Sequence, residues 1–111
     1  MDHLDYTTIR NATHQDSREL ARLIAASASA PRRDLAAWFE RGHLLVLDRC
    51  DGSLGAAAHI DISGNRGVLD LLVVDRGLAD TAAERRLSDV AHAVCSAYGC
   101  KQVDTVAEPI A

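Results

Sequence analysis

The stretch VLDLLVVDRGLADTAAERRLSDVAHAVCSAY, residues 68–98, decides the fold of this chain. Its first part, residues 68–74, is an apolar run interrupted only by Asp70, which is typical of a strand buried on both faces. From residue 82 the apolar spacing changes to three and four residues, which predicts a helix over 82–98 with Gly99 ending it. This order brings a helix N-terminus to the end of a central strand, where open α/β sheets bind ligands and often phosphates.

The start of that helix carries the sequence pattern of a capping box. Thr81 and Glu84 form T-x-x-E, in which the hydroxyl accepts from the N–H of Glu84 and the carboxylate accepts from the N–H of Thr81. Asp80 adds a second carboxylate at the positive end of the helix. Two interpretations follow, an ordinary well-capped helix or a phosphate site that is closed by its own acidic side chains.

Length, composition and charge indicate one globular domain and exclude several classes of protein. The chain has 111 residues, 48% of them hydrophobic, and a net charge of −4 without a basic stripe, which argues against a nucleic-acid partner. No apolar run is long enough to cross a membrane, and the acidic N-terminal segment lacks the apolar core of a signal peptide. We therefore expect a cytoplasmic protein with no nucleic-acid or membrane partner.

The cysteine spacing predicts thiols and no metal site. Cys50, Cys95 and Cys100 match no zinc-binding pattern, and His92, one helical turn before Cys95, would leave such a site one ligand short. Three cysteines are typical of a reducing compartment, and we expect them to be buried thiols.

The remaining chain predicts the element order β-α-α-β-β-β-α-β. Further strands are expected over residues 6–10, 43–49, 54–62 and 101–107, and further helices over about 13–26 and from Pro31 to Gly42. Asp51-Gly52 predicts a tight hairpin, and the last β-α-β unit should be a right-handed parallel crossover. The fold class is therefore α/β (α+β), a mixed sheet of about five strands with three helices on both faces. We expect one shared core, formed by Val73 or Val74, Leu87, Val90, Val94, and Trp38 or Phe39.

This order and several local sequences resemble the GNAT superfamily of acetyl-CoA-dependent N-acyltransferases. Residues 9–16 resemble the first strand and cap of that family, 55–62 its third strand, 71–75 its fourth strand, and 82–99 its long third helix. The resemblance covers nearly the whole chain and implies a single GNAT-like domain over residues 1–111. Because the chain stops at Ala111, we expect this domain to lack the usual C-terminal helix and strands, including a helix Tyr that is often the general acid.

The resemblance implies a coenzyme A site between the fourth strand and the third helix. There the family has an Arg/Gln-x-x-Gly-x-Gly/Ala loop, whose backbone N–H groups hold the pyrophosphate. Aligning Leu87 with the family's helix leucine places residues 79–84 in this loop, with neither loop glycine present and Glu84 at the final small position. The implied cofactor-binding positions are Val74, Arg76, Gly77, Ala79, Asp80, Thr81, Ala82 and Glu84.

The resemblance also implies a general base on the fourth strand, where Asp70 lies. Its carboxylate is the candidate to take a proton from an amine, directly or through water, and the alternative is a carboxylate that faces the sheet edge or solvent. His59 and Asp61 share a strand face, but no Ser or Cys motif near them suggests nucleophilic catalysis.

The departures from the family loop imply a degenerate GNAT-fold protein, a pseudoenzyme with impaired acetyl-CoA binding and no cofactor. Such a protein would act as a ligand-binding, protein-binding or regulatory module. The alternative is an active acetyl-CoA-dependent N-acetyltransferase with an atypical cofactor loop, and a third hypothesis is a structural partner of a larger enzyme. An uncovered last strand over residues 101–107 predicts a homodimer or a protein partner.

Overall fold

The computed structural model describes residues 6–26, 35–40, 42–49, 52–75 and 82–105. These residues form five strands and three helices, with a short 3₁₀ turn (His14–Asp16) before the first helix. In chain order the elements are β1 (Tyr6–Asn11), α1 (Ser17–Ala25), α2 (Leu35–Glu40), β2 (His43–Arg49), β3 (Leu54–Ser63), β4 (Arg66–Val74), α3 (Ala83–Ala97) and β5 (Gln102–Thr105). The predicted element order is confirmed. Pro31 and the end of the predicted last strand, residues 106–107, lie outside the described residues.

The strands form one mixed sheet in the order β1-β2-β3-β4-β5. Neighbouring strands are antiparallel up to β4, and β5 pairs parallel to β4 after the crossover through α3. Strand β4, which contains the apolar run of residues 68–74, therefore lies inside the sheet with α-helices on both faces, as that run predicts. In the hairpin between β2 and β3, the N–H of Gly52 donates to the carbonyl of Arg49 at 3.0 Å, while Cys50 and Asp51 lie outside the described residues.

The predicted single core is wrong, because the sheet separates two apolar clusters. One cluster packs between the sheet and α3 (the α3 face), and includes Leu45, Leu47, Ala56, Ala58, Ile60, Leu69, Leu72, Val74, Leu87, Ala91 and Cys95. The other packs between the sheet and the first two helices (the α1/α2 face), and includes Leu20, Leu23, Trp38, Leu44, Val46, Ala57, Leu71 and Val73. Val73 shares a cluster with Trp38, whereas Val74 shares one with Leu87, since neighbouring strand residues point to opposite faces.

A β-bulge in β4 changes which side chains face which layer. His59 of β3 pairs with Leu71, and the next residue, Ile60, pairs with Leu69, so Asp70 is the extra residue. Before the bulge the odd-numbered Leu69 packs on the α3 face, and after it the odd-numbered Leu71 packs on the α1/α2 face. The bulge therefore shifts the alternation by one residue, as an inserted residue must in a period-2 strand.

An arginine joins β1, β2 and the start of α1. The Arg10 guanidinium donates to the Asp48 carboxylate at 2.7 Å and to the Asp16 carboxylate at 2.8 and 2.9 Å. Asp16 also accepts from the backbone N–H of Thr13 at 2.8 Å, which confirms the predicted cap. These contacts, of which the hydrogen bond from Arg10 has the largest effect, hold the pKa of the Asp16 carboxyl below its usual value.

We predict a pH-dependent loss of stability in Asp16→Asn. Because the folded-state pKa of Asp16 is lowered, its carboxylate stabilises the fold above the unfolded-state pKa, and this contribution is lost as pH falls through the folded-state pKa. The variant should be less stable at pH 7 by about 1–2 kcal/mol, and the difference should shrink between about pH 5 and pH 2. Urea unfolding at a series of pH values measures this, with Asp89→Asn on the exposed side of α3 as the control for net charge. A difference that is independent of pH contradicts the prediction.

α3 and β4 are in close contact at Gly67. A Cβ atom at this position would collide with Cys95 Sγ and would lie 3.5 Å from Cys100 Sγ. Gly67 is itself buried, so a glycine is required here by space and not by its backbone conformation.

We predict that Gly67→Ala lowers the free energy of unfolding by about 1–3 kcal/mol, because the added methyl overpacks the α3 face. Cys95→Ala in the same chain should recover part of this loss, since it removes the sulfur that the methyl meets. Denaturant unfolding of both single variants and the double variant measures the coupling. Additive losses in the double variant would show that Cys95 is not the obstacle.

Candidate functional site

A buried histidine and a buried aspartate meet on the α1/α2 face. His59 Nδ1 lies 2.6 Å from Asp70 Oδ1, and the two residues are 2% and 9% exposed. The expectation of an Asp70 carboxylate that faces the sheet edge or solvent is therefore wrong. The physical reason is the partner, because a carboxylate can be buried when a donor satisfies it.

Three elements position this His59–Asp70 pair. β3 supplies His59, the bulge of β4 supplies Asp70, and α2 supplies Trp38, which meets the imidazole edge-on with ring centroids 4.8 Å apart. Trp38 is 1% exposed, so the histidine ring is held between an indole and a carboxylate. The bulge turns Asp70 onto the same face as His59, and the adjacent Leu71 follows it there.

The chemistry of the pair follows from its geometry. In the tautomer with Nδ1 protonated, the imidazole donates to Asp70 Oδ1 and fixes the orientation of the carboxylate. A carboxylate held in this way can accept a proton from a substrate. This arrangement is suited to proton transfer at one position on the sheet.

The pair lies where β4 runs beyond the described part of β5. The last paired residues of the two strands are Leu69 and Thr105, and Asp70 follows directly. From Leu71 to Val74, no described residue pairs with this side of β4, although the side chains of these residues are buried on both faces. Backbone amide and carbonyl groups along this edge can therefore pair with an extended ligand that carries amides.

The predicted cofactor loop is described only at its two ends. Val74 ends β4 and is 7% exposed, Ala82 is the N-cap residue of α3, and Glu84 lies half-buried in the first turn of the helix. The other predicted positions, Arg76, Gly77, Ala79, Asp80 and Thr81, lie outside the described residues.

The capping box predicted from Thr81 and Glu84 stays a prediction, because Thr81 lies outside the described residues. α3 begins at Ala83 with Ala82 as its N-cap, and Ala82 makes no side-chain cap hydrogen bond. The Glu84 carboxylate nevertheless remains in the first turn, where it interacts favourably with the positive end of the helix dipole.

An ionic cluster lies at the carboxyl end of β4. The Arg49 guanidinium donates to the Asp75 carboxylate at 3.3 Å, and an Arg22 nitrogen lies 4.0 Å from the same carboxylate. Arg22 also donates to the carbonyl of Leu54 at 3.1 Å and pairs with Glu19 at 3.2 Å. The cluster ties α1 to the ends of β2, β3 and β4, next to the start of the loop.

Sequence reasoning placed Asp70 on the correct strand but missed its partner. The shared strand face of His59 and Asp61 predicts no contact with Asp70, whereas the structure brings His59 onto Asp70 of the neighbouring strand. The available signal was a histidine directly after the alanines of one strand and a single carboxylate within the apolar run of the next. Two polar residues in adjacent buried strands are candidates to form a hydrogen bond with each other, because a buried polar group needs a partner.

Two further features of the described residues bear on the class of site. No three His, Cys, Asp or Glu side chains in the described segments gather as metal ligands would. None of the described helices has the length and apolar character needed to span a membrane.

Comparison with known proteins identifies the fold. Glucosamine-6-phosphate N-acetyltransferase from Arabidopsis thaliana superposes with a TM-score of 0.75 at 18% identity, over 91% of this chain and 82% of that one. A Mycobacterium tuberculosis protein solved with CoA superposes with a TM-score of 0.81 at 15% identity, over 91% and 64% of the two chains. N-acetylglutamate synthase from Neisseria gonorrhoeae, solved with coenzyme A and N-acetyl-glutamate, gives 0.76 at 19% identity, over 90% and 25%.

The chain therefore has the GNAT fold, the fold of these N-acetyltransferases. No protein-family model matches the chain, and no curated protein matches it in sequence.

Proposed function

We propose that this protein is an acyl-CoA-dependent N-acyltransferase in which the His59–Asp70 pair accepts the proton of the amine substrate. The observation that carries the proposal is the position of this buried pair, on a bulge of β4 directly after the last described pairing with β5. The GNAT fold supplies the context, and two of the similar structures were solved with CoA.

The reaction follows from the residues present. The edge of β4 from Leu71 to Val74, beyond its described pairing with β5, offers backbone groups to the amides of the pantetheine arm, which would place the thioester beside the pair. The amine nitrogen attacks the thioester carbonyl, the C–N bond forms and the C–S bond breaks. The Asp70 carboxylate takes the amine proton, His59 holds the carboxylate in place, and the coenzyme leaves as a thiolate that solvent protonates.

We predict that Asp70→Asn lowers kcat/KM by about 10²–10⁴-fold, because the amide keeps the size of the side chain but cannot accept the proton. Acetyl-CoA consumption with a panel of amino acids, amino sugars, polyamines and peptides measures activity, and calorimetry measures binding of acetyl-CoA. Binding should be unchanged in the variant. Asp61→Asn is the matched control, since it neutralises a half-buried carboxylate on the neighbouring strand. Equal turnover by wild type and Asp70→Asn would exclude Asp70 as the base.

A second candidate function is a GNAT-fold binding or regulatory module in which the coenzyme site is degenerate. The observation that favours it is Glu84, a half-buried carboxylate in the first turn of α3. A negative charge at this helix end competes with phosphate for the same dipole and the same N–H donors. In this case the protein would need no cofactor, and association as a homodimer or with a protein partner remains a prediction.

The two candidates differ in their affinity for acetyl-CoA. If the site is degenerate, Asp80→Gly with Glu84→Gly should raise the affinity for acetyl-CoA by about a hundredfold. The double change removes two repulsive contacts of about 1 kcal/mol each and the helix cap that competes with phosphate. The same change should lower the midpoint of thermal unfolding. Calorimetry on both proteins tests this, with Asp89→Asn as the control for charge. Low-micromolar binding by the unmodified protein would exclude the degenerate site and support the acyltransferase.

A further inference from the structure

The C-terminal end of α3 brings two cysteines together. The helix ends in a Schellman motif, in which Gly99 has a φ of +81° and the N–H of Cys100 donates to the carbonyl of Cys95 at 2.9 Å. A second bond, from the N–H of Gly99 to the carbonyl of Ser96 at 3.0 Å, completes the motif. This motif usually places an apolar contact between its first and last residues, and here both of those residues are cysteines.

The two sulfur atoms converge on one point of the sheet. A Cβ atom built on Gly67 lies 3.5 Å from Cys100 Sγ and still closer to Cys95 Sγ. Both cysteines carry free thiols, Cys95 buried and Cys100 half-buried. The hydrogen bond from Cys100 to Cys95 and the shared neighbour Gly67 keep the two thiols close together, as a disulfide requires.

We propose that Cys95 and Cys100 are a redox modification site, which forms an intramolecular disulfide by exchange with a low-molecular-weight disulfide. This inference does not depend on the proposed function, because it concerns the opposite face of the sheet from the His59–Asp70 pair. The disulfide closes the turn covalently and fixes the end of α3 next to the start of β5.

The exposure of the two thiols sets the order of the steps. The Cys100 thiolate, which solvent can reach, attacks one sulfur of the external disulfide, forms a mixed disulfide and releases one thiolate. The Cys95 thiol then loses its proton and attacks the Cys100 sulfur, which forms the internal S–S bond and releases the second thiolate. Solvent takes up and returns the protons, and the external disulfide is reduced as the two cysteines are oxidised. Burial first, and then the nearby Cys100, raise the pKa of Cys95 to about 11, so Cys95 is the less reactive thiol toward the external disulfide.

The sequence allows a direct readout of this modification. Trypsin cleavage after Arg86 and Lys101 leaves both cysteines in one peptide, residues 87–101, whereas Cys50 lies in residues 50–66. After incubation of the folded protein with glutathione disulfide and blocking with N-ethylmaleimide, peptide 87–101 should be lighter than its reduced form by two hydrogens and should carry no label. Reduction before blocking should restore two labels on this peptide.

Three variants make the test decisive. Cys50→Ala should give the same internal disulfide as the wild type, because Cys50 takes no part. Cys95→Ser should accumulate glutathione on Cys100, and Cys100→Ser should leave Cys95 unmodified in the folded protein because that thiol is buried. The proposal is overturned if the wild type accumulates only the mixed disulfide, if peptide 87–101 is linked to peptide 50–66, or if both thiols stay reduced at every glutathione ratio.

Discussion

The β-bulge at Asp70 is the constraint on which the rest of the structure depends. It inserts one residue into the central strand and so decides which residues of an almost uniformly apolar run pack against α3 and which against α1 and α2. Without it, Leu71 and Val73 would point to the α3 face, and Leu72 and Val74 to the opposite one. The same residue that sets the alternation carries the buried carboxylate, so the packing of both layers and the chemistry of the site share one origin.

Burial explains why the His59–Asp70 pair is specific. Neither side chain could remain in an apolar layer alone, since an unsatisfied polar group costs about 1–3 kcal/mol there. Their contact gives each group a partner and fixes the register of β3 on β4, while Trp38 closes the layer above the imidazole. A polar pair of this kind restricts the alternatives open to the strands, because a slip by one residue would leave each group without its partner.

Most of the fold could be predicted from the sequence, but the connection between its layers could not. The order of elements, the central place of β4 and the strand conformation of Ala56, Ala57 and Ala58 follow from periodicity and turn residues. The bulge could not be predicted from the sequence. Residues 68–74 are apolar on both sides of Asp70, so the run fits either assignment of its residues to the two faces of the sheet. For the same reason the two clusters were expected as one, and the contact of His59 with Asp70 across the sheet was not predicted. Of the predicted loop, Val74, Ala82 and Glu84 are described, and their role in binding stays a prediction.

The alanines of β3 set the spacing between the layers of the molecule. Ala56 and Ala58 face α3, Ala57 faces α1 and α2, and each of the three is fully buried. Side chains this small let the helices on both sides approach the middle of the sheet closely, and close packing leaves no volume to absorb a larger group. A valine at any of these positions must therefore push a helix outward. The distance between the helical layers at the centre of the protein is consequently set by these three alanines. Substitutions in this strand are limited to those that a whole helix can accommodate by moving.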